Sequence, residues 1–187
     1  GGAGEYSVLD DHPAIHRFVD FLAHAAAEGP TPLFASCFGF QAIVLGLEGT
    51  VVADEPNAEV GSYAIHLTDD GRRDPLYAGF PSTFMGQLGH KDRADSLPST
   101  LINFAFSERT PFQAIRVRGR PVYATQFHPE LTGTDNRRRF LGYMEQYGRL
   151  FGKDEAQRRL ESHVDSPEAN SLLARFCERF LTTTRGA

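Results

Sequence analysis

The chain has 187 residues, with 19 Lys and Arg against 24 Asp and Glu, a formal net charge of −5, and 41% hydrophobic residues. That balance fits one globular domain and excludes a disordered chain, and the mild acidity excludes a dedicated nucleic-acid binder, which gathers Lys and Arg on one face. No run of about 18 apolar residues is present to span a bilayer and the start, GGAGE, has no basic-then-apolar leader pattern, so no membrane partner is expected and the cytoplasm is the expected compartment.

In chain order, Asp11 is placed to cap a helix over His12 to Ala27, with Ile15, Phe18, Val19 and Leu22 at helical spacing and Gly29-Pro30 ending it. Thr31 to Ser36 is a short apolar run that reads as a buried strand, and Phe38 to Leu47 is helical again. Six short strands are predicted over Thr50–Ala53, Ser62–Thr68, Thr83–Leu88, Thr100–Phe106, Phe112–Arg118 and Pro121–Phe127. A helix follows over Asn136 to Phe151. Lys153 to Val164 is predicted as a more exposed helix, and Ser166 to Leu181 as a last one with Ser166 as its cap. Alternating helices and strands predict an α/β fold, a three-layer sandwich whose mostly parallel sheet is covered on both faces. Residues 1–187 are expected to form one domain, with 153–187 as its C-terminal helical extension.

The segment Leu33-Phe34-Ala35-Ser36-Cys37-Phe38-Gly39-Phe40-Gln41 has the makings of a nucleophile elbow. Such an elbow turns abruptly from strand to helix and needs small residues two before and two after the nucleophile, here Ala35 and Gly39. The turn would set the Cys37 sulfur at a helix N-terminus, where N–H groups and the helix dipole favour thiolate. The Phe38 amide would then point at a developing oxyanion. A second segment, Gln126-Phe127-His128-Pro129-Glu130, ends a strand at a proline that cannot donate to a ladder. His128 and Glu130, two apart in extended chain, project to one side, so the carboxylate can orient the imidazole.

SCFGFQ, followed by QFHPE with 91 positions between Cys37 and His128, resembles the class I (triad) glutamine amidotransferases, the glutaminase domains of which GMP synthase holds one, and especially their free-standing members. GGAGEYSVLDD resembles the family's Gly-Gly loop, and NAEVG, DPLYAGFP, LGHKDRADSLP and SPEANSLLARF its later segments. The resemblance implies a flavodoxin-like fold, with Cys37 as nucleophile, His128 as general acid and base, and Glu130 as the residue that orients it. It also implies that Phe38 and a first-loop glycine, Gly2, supply oxyanion N–H groups and that Gln41 is the elbow glutamine. The activity implied is hydrolysis of the glutamine side-chain amide through a γ-glutamyl thioester, with no metal and no organic cofactor.

The partners implied are glutamine or a γ-glutamyl compound and a synthase or other ammonia acceptor. Two other readings are a γ-glutamyl peptide or conjugate hydrolase and a non-catalytic regulatory or interaction module of the same fold. Ala35 stands where the family usually has Gly, and Phe40 where it often has His or Met. Family domains carry about three β/α units before the Gly-Gly loop, so the N-terminal strands are expected in a longer product or in a companion segment.

Other clusters carry less. His12 and His16, one helical turn apart, have no third ligand in view and read as a solvated helix face, and Gly1 to Gly4 does not have dinucleotide-loop spacing. Cys177 is expected in the core, and Arg137 to Arg139 reads as a solvated helix start or a contact for an anionic ligand or partner.

Overall fold

The structure, a computed structural model, describes residues 6–181. Its strands are β1 (Leu33–Ser36), β2 (Thr50–Ala53), β3 (Glu59–Leu67), β4 (Thr83–His90), β5 (Asp92–Ser96), β6 (Leu101–Phe106), β7 (Ala114–Val117) and β8 (Val122–Thr125). The helices are α1 (Pro13–Ala27), α2 (Phe38–Gly46), α3 (Asp69–Arg73), α4 (Gly133–Gly142), α5 (Met144–Phe151), α6 (Lys153–Glu161) and α7 (Pro167–Phe180). One sheet runs β1-β8-β7-β6-β3-β4, and β2 and β5 form a separate antiparallel pair.

The sheet is mixed, which corrects the expectation of mostly parallel strands. Among the described residues only β1 and β8 pair in parallel; β8–β7, β7–β6, β6–β3 and β3–β4 are antiparallel. Connection length is the reason. The links at 107–113 and 118–121 are too short for the crossover of a dozen or more residues that a parallel neighbour requires, so those strands must double back.

The three expected layers are present. On one face Ile15 and Leu22 of α1 and Ile43 and Val44 of α2 pack against Ile115, Val117, Val122 and Ala124 of the sheet. On the other, Leu172 and Phe176 of α7 pack with Ile65, Phe104 and Tyr123. Successive β8 side chains alternate between these cores, so every residue of β8 is buried, as a strand covered on both faces requires. A smaller cluster of Val60, Phe140, Ala156 and Leu160 seats α4 and α6 against β3.

Several local expectations are corrected. His12, not Asp11, caps α1: its Nδ1 accepts from the Ala14 N–H at 3.2 Å. The helix expected over 136–151 is two helices, interrupted at Tyr143 (φ −112°, ψ 14°), and the first begins earlier because Thr132 and Asp135 form a reciprocal capping box. Ser166 precedes α7 but makes no capping bond; its hydroxyl instead accepts from Gln87 Nε2 at 3.1 Å. Cys177 is exposed rather than in the core, because the buried stripe of α7 runs through Ala169, Leu172 and Phe176, and the next position turns about 100° away. β4 extends to His90, and β5 was not expected, its Asp-Arg-Ala-Asp-Ser sequence having little strand character.

Gly71 marks the tightest contact of a helix with the sheet. A Cβ there would stand 2.1 Å from the Phe104 carbonyl oxygen, a backbone atom that cannot step aside. Gly71→Ala is therefore expected to lower stability by about 2–3 kcal/mol, the usual cost of overpacking, as read from the denaturant midpoint.

Candidate active site

The parallel pairing of β1 with β8 builds the site. Because these two strands run the same way in register, Ser36 opposite Thr125, both deliver their following residues to one edge of the sheet. Crevices at the carboxyl ends of such strands are where open α/β folds bind ligands. Cys37 leaves β1 by donating its N–H to the Thr125 carbonyl at 2.7 Å and enters α2 with φ +50° and ψ −102°. A non-glycine residue in the left-handed region is strained, and such strain collects at functional sites. The elbow closes because its flanks are small: a Cβ on Gly39 would already lie 3.0 Å from the Ala35 Cβ. Ala35 is thus accommodated because position 39 is glycine.

Cys37 is buried at 8% exposure, yet it lines a cavity of about 460 Å³ together with Phe38, Gln41, Asp92, Arg139 and Tyr143. The Gln126 side-chain amide donates to its sulfur at 3.7 Å, and Gln41 Nε2 is bound to the Asp92 carbonyl (2.7 Å) and to Gln126 Oε1 (3.2 Å). Gln41 therefore joins the elbow helix to the opposite wall of the cavity. Gly2, expected to line the oxyanion site, lies outside the described residues.

His128 follows β8 and is buried, and its N–H donates to the Gln87 carbonyl at 2.8 Å. Its Nδ1 is 2.6 Å from Glu130 Oε1, so the carboxylate fixes the tautomer and leaves Nε2 for proton exchange. Burial depresses the basicity of His128, but hydrogen bonding with Cys37 and Glu130 outweighs it and raises its pKa to about 9. For Glu130, burial pushes the carboxyl upward, and the His128 hydrogen bond and charge more than reverse this, leaving it below its ordinary value. The expected Cys37, His128 and Glu130 thus meet at one place.

The structure brings further residues to the site. Asp92 is buried on the cavity wall. Its Oδ2 accepts from Ser7 Oγ at 2.6 Å, and its Oδ1 has no hydrogen-bond partner among the described residues. Arg139, the third residue of the Arg137–Arg139 run, reaches the cavity, and its Nη1 is 3.3 Å from His128 Nε2. Gln87 sits at a junction: its side chain binds the Val164 carbonyl at 2.8 Å and Ser166, and accepts from Asn136 at 3.1 Å. Asn170 of α7 donates to the carbonyls of Pro129 (2.9 Å) and Leu131 (2.7 Å), bracketing Glu130. Arg139 was visible in the sequence only as part of the Arg137–Arg139 run, and Gln87 and Asn170 only as amide side chains at strand and helix positions.

A buried carboxylate supports the wall that carries Asp92. Glu59 Oε2 accepts from Thr110 Oγ1 and Gln113 Nε2, both at 2.6 Å, and lies 3.2 Å from His90 Nε2, while His90 Nδ1 is 3.0 Å from the Asp92 carbonyl. Burial works to raise the Glu59 carboxyl, but the His90 hydrogen bond and charge and the hydroxyl donors hold it below the ordinary 4.5. A depressed folded-state pKa contributes stability that is present above the unfolded value and lost as pH falls through the folded one. Stability should therefore fall more steeply below pH 4.5 in the parent than in Glu59→Gln, as measured by urea denaturation across that range.

An α/β fold with a curled mixed sheet surrounded by helices thus carries a cysteine on a strand-to-helix turn beside a His–Glu pair. The family model for class-I glutamine amidotransferase matches residues 11–143, and the chain belongs to that family, an enzyme family. The glutamine-hydrolysing GMP synthase of Thermosipho africanus is 35% identical over 129 residues, 68% of this chain and 24% of that protein. In Methanocaldococcus jannaschii the relative is one named subunit of a glutamine-hydrolysing GMP synthase, 28% identical over 128 residues, 68% of this chain and 65% of that one. The chain thus spans about a quarter of the first relative and just under two thirds of the second. In fold it is similar to a glutamine amidotransferase from Thermotoga maritima, with a TM-score of 0.70 at 18% identity over 98% of this chain and 76% of that one. Among the described residues no helix is long and apolar enough to cross a membrane.

Proposed function

We propose that the site hydrolyses the side-chain amide of glutamine to glutamate and ammonia. The carrying observation is the strained Cys37 elbow facing a cavity, with His128 held in one tautomer by Glu130 at 2.6 Å. In this reading the Cys37 thiolate adds to the amide carbonyl, and the oxyanion is held by the Phe38 N–H and by a second donor from the first loop, for which Gly2 is the candidate. His128 gives its Nε2 proton to the departing ammonia. A water then attacks the γ-glutamyl thioester while His128 takes up a proton, which returns glutamate and the thiol. Glu130 stays ionised and stabilises the imidazolium. Oδ1 of Asp92, which has no hydrogen-bond partner among the described residues, suits the substrate α-ammonium, since a buried carboxylate oxygen gains from a donor that a ligand supplies.

The same chemistry would serve a γ-glutamyl peptide or conjugate, and the cavity of about 460 Å³ leaves room for a group beyond the amide nitrogen. Because one relative is named as part of a GMP synthase of more than one chain, a synthase partner that consumes the ammonia belongs to the proposal. The test is release of glutamate and ammonia from glutamine by the purified chain, alone and with a candidate synthase partner. A folded protein that binds glutamine but turns over neither glutamine nor a γ-glutamyl amide would support the non-catalytic module instead.

A further inference from the structure

Gln126 lies between the end of β8 and His128, is fully buried, and is not among the residues lining the cavity. Its backbone N–H donates to the Gln113 carbonyl at 2.8 Å, which fixes where its side chain starts. The direction of its amide follows from a chain of forced assignments. The Asp92 carbonyl can only accept, so the group of Gln41 that meets it at 2.7 Å is the amino group. That amino group is also 3.2 Å from the Gln126 amide and must meet its oxygen. The Gln126 amino group is thereby turned to the Cys37 sulfur, 3.7 Å away. His90 Nδ1, at 3.0 Å, can only donate to the same Asp92 carbonyl, so two donors hold the point from which the chain starts.

Among the described residues the sulfur is the one partner of that amino group, and a buried amino group without an acceptor would bear its full desolvation cost. His128 also hydrogen-bonds Cys37, and it does so through Nε2 because Nδ1 is on Glu130. The sulfur thus faces donors from two neighbouring residues of one turn. A thiol is a weak acceptor with a proton of its own to place, whereas a thiolate accepts from both donors, and bonds to a charged acceptor are the stronger ones. Because Gln126 does not line the cavity, what it can serve is the nucleophile and not the molecule that enters.

We propose that Gln126 is a positioning residue for the nucleophile: its side-chain N–H, locked in direction by Gln41 and the Asp92 carbonyl, holds Cys37 as thiolate. Gln41 then has a second task besides joining the elbow to the cavity wall, which is to keep the Gln126 amide from turning its oxygen to the sulfur. An amide turned over would set a lone pair against the thiolate and disfavour it. This rests on the proposed role of Cys37 as nucleophile.

The test is the pH profile of Cys37 alkylation by iodoacetamide, small and uncharged, read by mass spectrometry on ligand-free protein, with exposed Cys177 as the internal standard. Gln126→Met keeps the length of the side chain and removes the donor. On the rising limb of the profile it should react about 10-fold more slowly than the parent, the low end for a hydrogen bond to a charged group, and the limb should move to higher pH. The ionisable groups around the sulfur, His128 with Glu130 behind it and Asp10, Lys91, Asp92 and Arg139 on the cavity, are common to parent and variants, so the movement reports the lost donor. A change of packing alone would alter the plateau and leave the limb in place. Gln41→Met leaves Gln126 present but free to turn, and should move the limb the same way by less; it also decides the matter if Gln126→Met does not fold. In turnover Gln126→Met should lower kcat and leave KM for glutamine little changed. An unmoved limb in Gln126→Met, or a raised KM with kcat retained, overturns the assignment, and an unmoved limb in Gln41→Met overturns the lock. Failure of the parent to hydrolyse glutamine or a γ-glutamyl amide refutes the proposed activity, while the alkylation profile still judges Gln126.

Discussion

Cys37→Ala is expected to abolish glutamine hydrolysis, whereas Cys177→Ala should retain nearly all of it. The two thiols share a chemistry but not a setting. Cys37 is held at φ +50° at the head of α2, with its sulfur on the cavity, and Cys177 lies exposed on the outer side of α7. Without the sulfur no thioester can form, and the remaining oxyanion donors and binding groups do not replace a nucleophile. An electrophilic glutamine analogue should add one covalent mass to the Cys37 peptide and none to the Cys177 peptide. Labelling of Cys177 instead, or no labelling of a folded protein that binds glutamine, would remove the elbow from the mechanism.

The second large effect separates His128 from Glu130. His128→Asn should lower kcat by about 10²–10⁴, the range of general acid–base contributions, with a further loss because nothing remains to take the thiol proton. In the proposed mechanism Glu130 acts only through the ring it holds at 2.6 Å, so Glu130→Gln should lose less activity while leaving KM for glutamine little changed. Steady-state kinetics of both variants give the ranking. Glu130→Gln with full activity beside an inactive His128→Asn would show that another carboxylate orients the ring. Asp92, already on the cavity wall, would be the next to replace.

These residues were legible in the sequence because their chemistry imposes local rules. Small flanks at Ala35 and Gly39 are needed for the elbow to close, and a proline after His128 marks where β8 must stop pairing. Helix periodicity likewise located α1, α2 and α7. What could not be read locally was decided by distance in the fold. The mixed sheet follows from which strands meet, and β5 exists because β2 offers it an antiparallel partner despite its polar sequence. Arg137, Arg138 and Arg139 look alike in the chain, but only the third faces the cavity once Tyr143 interrupts the helix and α4 settles against β3. Gln87 and Asn170 carry no motif at all, since an amide side chain shows its use only when its partners are in place.

The bonds from Asn170 to the carbonyls of Pro129 and Leu131 span 41 and 39 positions of sequence. They tie the short turn bearing His128 and Glu130 to a helix that begins well after residue 143, where the family match ends. Aromatic contacts anchor that helix in turn: Phe176 and Phe180 both lie against Tyr123 on β8, the strand from which the turn emerges. The two histidine-side groups are therefore braced from both directions, by the strand before them and by a remote splint behind. Rigidity at the His128–Glu130 turn is a property of this closed loop of contacts, so a domain boundary drawn where the family match stops would cut through the support and leave its load hanging.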